Sequence, residues 1–544
     1  MRPYTTRSTG RSTGSRPGRP RVALMAAATT SLSAVLLYLG TGLHPVAWLT
    51  WLAPLPVLLL APRVPASLAA LTALLAWGAG GLTTWTLQRD RMGLPLPVAL
   101  LNLLVPALLA VVAVLLFRTL LRRDRPCLAA VSVPATWVSA EYLVPVLTPN
   151  GAIWSLAPTQ SDLLPVLQLA SLTGGWGVTF LVTGLPAALA ASRRGRPRIA
   201  AAALVLVALV AGLGALRLGL AHPDGPVRTI ALLASRQQGD WAPADTPRGR
   251  ERLAEVLARL RALSPGTDMA ILPEGGFVTT SDDLPLITRP LAALARDRRL
   301  DIVAGVIVTD ANRNTAMVFP AAGGEPGTYL KRHMVPGVES YTPGDRLLLL
   351  PGAGVAICKD LDFPSLAREY RRRGAELMLL PAWDFDLDDR QHARTAVLRG
   401  VENGFWIARS AANGNLTVSD PYGRVLAETT TTSRAVVTLT ATVRTGGTGA
   451  FATYGGDWFA WLCLALTALS LVTTRRPSAR NGRVPEPLEG RRTRRVNRPP
   501  SSIRVGALQA HLREAIRLLN ERRHGTMDDR RTVSGSGGEV PKTP

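Results

Sequence analysis

Cysteine is nearly absent: Cys127, Cys358 and Cys463 are the only ones in 544 residues, and they lie far apart. That excludes a disulfide framework, and with no CxxC or HExxH spacing no metal or other cofactor is expected. Acidic residues are also few, 38 Asp and Glu against 62 Lys and Arg, for a net charge of +24. Clustered on one folded face, such an excess would suit nucleic acid. Here it is divided among an N-terminal arm with six Arg before position 22, the short stretches RTLLRRDR (118–125) and RRGRPR (193–198), and the tail beyond 474. No nucleic-acid partner is expected.

What lies between the basic stretches is apolar. Runs at 23–40, 44–61, 67–87, 96–117, 127–146, 164–191, 199–220 and 456–473 carry few or no charges, and about 20 apolar residues in a helix cross a bilayer. Seven such runs within the first 221 residues leave no soluble layer to bury them. The expectation is a polytopic membrane bundle of about eight transmembrane helices. Arg and Lys near helix ends stay on the cytoplasmic side. The arm 1–22, the clusters at 118–125 and 193–198 and the basic tail 475–544 then lie inside, and the segment 222–455 lies outside. The tail, with 17 Lys and Arg against 7 Asp and Glu, reads as mostly disordered.

Between about 226 and 445 charged residues return, and short β-rich runs alternate with amphipathic stretches. Strands are predicted at 229–235, 269–273, 301–308, 315–321, 354–358, 376–381, 405–411 and 435–440, with a turn around Pro421, Tyr422 and Gly423. Helices are predicted at 250–263, 290–299, 363–373 and 388–403. Such alternation implies a layered α/β sandwich.

Chemistry is carried by groups at strand ends. Glu274 follows ILP, Lys331 follows GTYL, and Cys358 closes GVAI. A thiol attacks a carbonyl as thiolate, a carboxylate can take its proton, and an ammonium can hold the charge that develops on oxygen. Spacing alone leaves a small buried cysteine and surface charges as alternatives.

The surrounding text narrows this. PEGG, YLKRHMVPGVESY, ICKDLDFP and LLPAWDFDLDDRQHARTAVLRGVENGFWIARSAANG resemble the successive signatures of the nitrilase (carbon-nitrogen hydrolase) superfamily, whose αββα sandwich carries a Glu, Lys and Cys triad. Helices before that domain and one after it, with TWVSAEYL, GAIWSLAPTQ and LQLASLTGGWGVTFL in the membrane half, resemble its membrane branch, the apolipoprotein N-acyltransferases. That resemblance implies catalysis by Glu274, Lys331 and Cys358, with support from Glu339 and substrate contact by Trp383 and Tyr341; Lys359 and Asp360, directly after the nucleophile, are expected to support it as well. It further implies an acyl chain moved from a phospholipid through a Cys thioester to the N-terminal amine of a diacylated lipoprotein, at the outer face of the plasma membrane. Gln391, His392, Arg399, Glu402, Asn413 and Gly414 also match that pattern. The chain departs from it at Lys359 and Asp360, where Tyr and Glu are usual, in a shorter segment between Lys331 and Cys358, and at LLASRQQGD (232–240). A second cation beside the thiol is expected to lower its pKa. A membrane-tethered amidase acting on a small amide and an inactive lipoprotein-binding scaffold are the rival readings.

Overall fold

A computed structural model describes residues 19–475 apart from 194, 223–224, 238–241 and 432–434. Most of the basic arm and nearly all of the basic tail thus lie outside the described residues.

Among the described residues, seven helices are long and apolar enough to cross a membrane: Pro20–Gly40, Ala66–Thr84, Leu96–Arg122, Pro126–Leu147, Gly175–Ser192, Pro197–Gly219 and Trp458–Arg475. The eighth expected segment is shorter. Ala47–Arg63 is 17 residues and breaks at Ala53–Pro54, because Pro54 cannot donate to the helical ladder. At about 1.5 Å per residue it falls short of a hydrocarbon core about 30 Å thick, and it is fastened to the rest of the protein at both ends. The carbonyl of Ala47 accepts from Gln160 Nε2 (3.1 Å) at one end. At the other, the Arg118 guanidinium donates to the Ala61 and Val64 carbonyls (3.0 and 2.9 Å), a cation closing the negative end of a helix. The expected single span 164–191 is also divided, into the one-turn helices Leu164–Leu167 and Ala170–Thr173 and the helix from Gly175. The break is Gly174, whose φ of 67° is a left-handed conformation that suits glycine.

The second half is a sandwich of two sheets with helices on both outer faces. Its strands in chain order are β1 (Val227–Ala234), β2 (Met269–Ile271), β3 (Phe277–Thr279), β4 (Asp301–Val308), β5 (Arg313–Phe319), β6 (Gly327–Leu330), β7 (Leu348–Leu350), β8 (Ala353–Val355), β9 (Leu377–Trp383), β10 (Trp406–Ala412), β11 (Asn415–Ser419), β12 (Val425–Thr430) and β13 (Val437–Arg444). One sheet runs β13-β1-β2-β4-β5-β6, with β3 beside β4, and the other runs β12-β11-β10-β9-β8-β7. Ile230, Leu232 and Ile271 of the first sheet pack on Val355, Leu379 and Ile407 of the second to form the inner core. Leu253, Leu257 and Leu260 of helix Pro247–Arg261, and Leu291 and Leu294 of helix Leu284–Arg298, cover the outside of the first sheet. Helices Pro364–Arg372 and Asp389–Asn403 lie with the second. This is the layered arrangement expected from the sequence. The strands it did not single out, β3, β6, β7 and the β11–β12 hairpin, include the shortest ones.

The sandwich sits on the end of the bundle where Gly40, Leu147, Gly175, Gly219 and Trp458 lie. Ser161 Oγ donates to the Arg394 carbonyl (2.9 Å), Gln168 Nε2 to that of Tyr422 (2.8 Å), and Arg368 pairs with Asp457 (2.6 Å). Arg63, Arg122, Arg196 and Arg475 lie at the opposite end, where Arg123 also reaches the carbonyl of Thr473 (3.1 Å).

Candidate functional site

The parallel strands set the site. β1 pairs in parallel with β2, and β8 with β9 and β9 with β10, so their C-terminal ends meet at one edge of the sandwich, where α/β folds gather reactive groups. Gln237 follows β1, Glu274 follows β2, Cys358 follows β8, Asp384 follows β9 and Asn413 follows β10. Lys331 arrives from the other side, directly after β6.

The Lys331 ammonium is enclosed. It donates to Glu274 Oε1 (2.7 Å) and to both oxygens of Glu339 (2.7 and 2.8 Å). Glu339 is fixed in turn by the backbone N–H of Val335 (2.7 Å). Asn314 of β5, which sequence reasoning missed, donates from Nδ2 to Glu274 Oε1 (2.7 Å). The second oxygen of Glu274 is buried and has no hydrogen-bond partner among the described residues, which leaves it free to take a proton. Burial disfavours the charge on Lys331, but Glu274 and Glu339 more than offset that and hold it above its ordinary value. Burial pushes the Glu274 carboxyl up, reinforced by Glu339 and opposed by Lys331.

Cys358 sits at φ 43°, a left-handed conformation that costs a residue with a Cβ about 1–3 kcal/mol and recurs at functional sites. It opens a 3₁₀ turn, Cys358–Asp362, and its Sγ lies 3.4 Å from the carbonyl of Trp383. Asp360 holds the turn. Its Oδ2 accepts from Ile357 N (3.0 Å) and Tyr329 Oη (2.7 Å), and its Oδ1 from the backbone N–H groups of Arg332 (3.2 Å) and His333 (2.9 Å). One buried carboxylate thereby ties the loop bearing the thiol to the loop bearing Lys331.

Glu274, Lys331, Cys358, Trp383 and Tyr341 line a single cavity of about 1050 Å³. Its wall continues onto the bundle through Leu37, Trp77, Val98, Leu103 and Trp137, so the polar site opens into a more apolar space, at the upper end of the size range of ligand pockets.

Lys359 departs from expectation. Its ammonium turns to the carbonyl of Asn150 (2.7 Å) and to Asp362 (3.4 Å), and the thiol is not made more acidic. Burial and the Glu274 carboxylate push Cys358 well above its ordinary range, with Lys331 pulling the other way. The alkylation rate of Cys358 by iodoacetamide, followed by peptide mass spectrometry, is therefore expected to be still climbing at about pH 9, past the ~8.5 of a free cysteine. A plateau near that ordinary value would contradict this environment.

Asp384, Asp388 and His392 bring ligand atoms within 4.8 Å of one another. Their charges are already matched: Arg409 clasps Asp384, and His392 Nε2 lies 2.9 Å from Asp388. Burial opposes the imidazolium, but Asp388 holds it up to about 9. The cluster closes on its own ion pairs. A signal for Arg409 was present, a charged residue in the mostly apolar run WIARSAA, which forms a fully buried strand.

The carbon-nitrogen hydrolase family matches residues 232–452, and the apolipoprotein N-acyltransferase N-terminal domain matches residues 33–188. An apolipoprotein N-acyltransferase of Geobacter metallireducens is 27% identical over 493 residues, covering 80% of this chain and 93% of its own. That of Azotobacter vinelandii is 27% identical over 409 residues, covering 66% and 75%. Among solved structures, Nit3 of Saccharomyces cerevisiae, a member of the nitrilase superfamily, covers 43% of this chain and 95% of its own at 20% identity, with a TM-score of 0.34.

Proposed function

This chain belongs to the apolipoprotein N-acyltransferases, a membrane branch of the carbon-nitrogen hydrolase superfamily, and from that premise we propose how its own residues move an acyl chain. The observation that carries the reading is the Lys331 ammonium clamped between Glu274 and Glu339 in the cavity that also holds Cys358 and extends along apolar bundle residues.

In the first half-reaction Glu274 takes the thiol proton as Sγ attacks the ester carbonyl carbon of a phospholipid. The backbone N–H of Lys359 donates to the oxyanion, and the Lys331 ammonium, whose N–H groups are held by Glu274 and Glu339, stabilises it by its charge. The intermediate collapses with loss of the glycerol oxygen, to which Glu274 returns the proton, leaving a lysophospholipid and an acyl thioester on Cys358. In the second, the α-amine of the diacylglyceryl cysteine of a lipoprotein attacks the thioester, Glu274 takes its proton, and the thiolate departs and receives that proton back from Glu274. Glu339 keeps Lys331 in place, and Trp383 and Tyr341 contact substrate. Both substrates are confined to one membrane surface, so the encounter is two-dimensional and the reacting carbonyl arrives already oriented.

The basic loops at the bundle end remote from the sandwich support a catalytic domain on the outer face of the plasma membrane. Sealed right-side-out vesicles given a short diacylated lipopeptide are expected to add one acyl chain to it, read by mass spectrometry, and inside-out vesicles are not. Hydrolysis of small amides with no acyl transfer would point to an amidase instead, a reading disfavoured by the apolar wall of the cavity.

A further inference from the structure

Glu141 is a carboxylate in a membrane helix, 4% exposed, and the chemistry above does not use it. Its oxygens accept from Trp137 Nε1 (3.0 Å), Leu156 N (2.8 Å), Ser155 Oγ (3.2 Å) and Thr179 Oγ1 (2.9 Å). Trp137 and Thr179 belong to the bundle, whereas Ser155 and Leu156 belong to the loop that leaves helix Pro126–Leu147. Burying such a group is costly unless every oxygen is satisfied, and this one is satisfied by pulling the loop onto the bundle.

The other end of the same loop grips the nucleophile's turn. Asn150 offers its carbonyl to the Lys359 ammonium (2.7 Å), and Ala152 donates its N–H to the carbonyl of Asp362 (2.8 Å). Between them Gly151, at φ 70°, lies so close that a Cβ there would stand 2.7 Å from Cβ of Asp362. Lys359 is only 5% exposed, and its ammonium is shared between this grip and the longer contact with Asp362 of its own turn (3.4 Å). The residue next to the thiol and a carboxylate inside the bundle are thus the two fastenings of one strap, residues 148–156.

We infer that Glu141 and Lys359 are positioning residues: through the strap they fix the left-handed turn of Cys358 to the membrane bundle, so that the bundle sets where the thiol stands. This inference rests on the acyl-transfer reading only for its kinetic consequence. The placement itself is read from the reactivity of the thiol.

The test uses the full-length protein in membranes, with Lys359→Met, Lys359→Arg, Glu141→Leu, Glu141→Gln and the Glu141→Leu/Lys359→Met pair. A loosened turn misplaces the thiol, and a displacement of about 1 Å is enough to cost about 100-fold in rate. Lys359→Met and Glu141→Leu are expected to lower kcat by about that factor with KM for the phospholipid little changed, and to speed alkylation of Cys358 severalfold as the thiol comes free. Lys359→Arg and Glu141→Gln, which keep a donor and an acceptor, are expected to recover most of both effects. Because both residues act through one strap, the pair is expected to be no worse than the worse single variant. The inference is overturned by wild-type kcat and alkylation in Lys359→Met, by a lowered kcat with unchanged alkylation, or by losses that multiply in the pair. Should Glu141→Leu not fold, the Lys359→Met and Lys359→Arg comparison decides alone. If the alkylation results hold while the parent protein acylates no lipopeptide, the placement stands and the proposed function fails by itself.

Discussion

Replacing Cys358 with alanine is expected to leave a diacylated lipoprotein unmodified, with transfer reduced on the order of 10⁶-fold, as when a covalent catalyst loses its nucleophile. No other thiol can substitute. Cys463 is buried within the helix Trp458–Arg475, and Cys127 lies at the start of Pro126–Leu147, the end of the bundle remote from the sandwich. The fold should survive, since alanine keeps the Cβ at φ 43° and the turn is held by Asp360 rather than by sulfur. A folded, inactive variant separates chemistry from stability. Undiminished transfer would exclude a covalent route through this residue.

Glu274→Gln is expected to slow both half-reactions by about 10²–10⁴-fold, the usual contribution of a positioned general base. The amide retains an oxygen for Lys331 and Asn314 but cannot take the proton that the free Oε2 of the carboxylate would accept. The acidic limb of the parent enzyme's pH profile should lie above the ordinary carboxylate range, because burial raises this carboxyl. Stability should move the other way. A carboxyl whose folded-state pKa is raised holds its proton more firmly folded than unfolded, so it destabilises the fold increasingly as pH rises past the ordinary carboxylate value. Glutamine removes that penalty and leaves Lys331 paired with Glu339. The variant should therefore unfold at no lower a temperature than its parent at neutral pH while turning over far more slowly. Equal activity would assign the base elsewhere.

What the sequence disclosed follows from range. Long uncharged runs need no partner to be recognised, so most spans were legible. The segment Ala47–Arg63 and the broken stretch before Gly175 differ because a proline and a left-handed glycine act locally within otherwise continuous apolar text. Glu274, Lys331 and Cys358 stood out at strand ends and in their motifs, and their side chains line one cavity. β3 and β7 have three residues each, too few for a period of two to register. Asn314 was hidden because its value depends on Glu274, forty positions away. Lys359 was misread for the same reason. Proximity in sequence suggested action on the adjacent thiol, whereas its destination is a carbonyl 209 residues earlier in the chain.

The acyl-enzyme itself is the most direct object to measure. Purified protein incubated with a phospholipid and no acceptor, then examined by intact-mass and peptide mass spectrometry, should gain the mass of one acyl chain on Cys358, labile to hydroxylamine and discharged on addition of a diacylated lipopeptide. Transfer that proceeds with no acyl group ever found on Cys358, or with the group on another residue, would contradict the account.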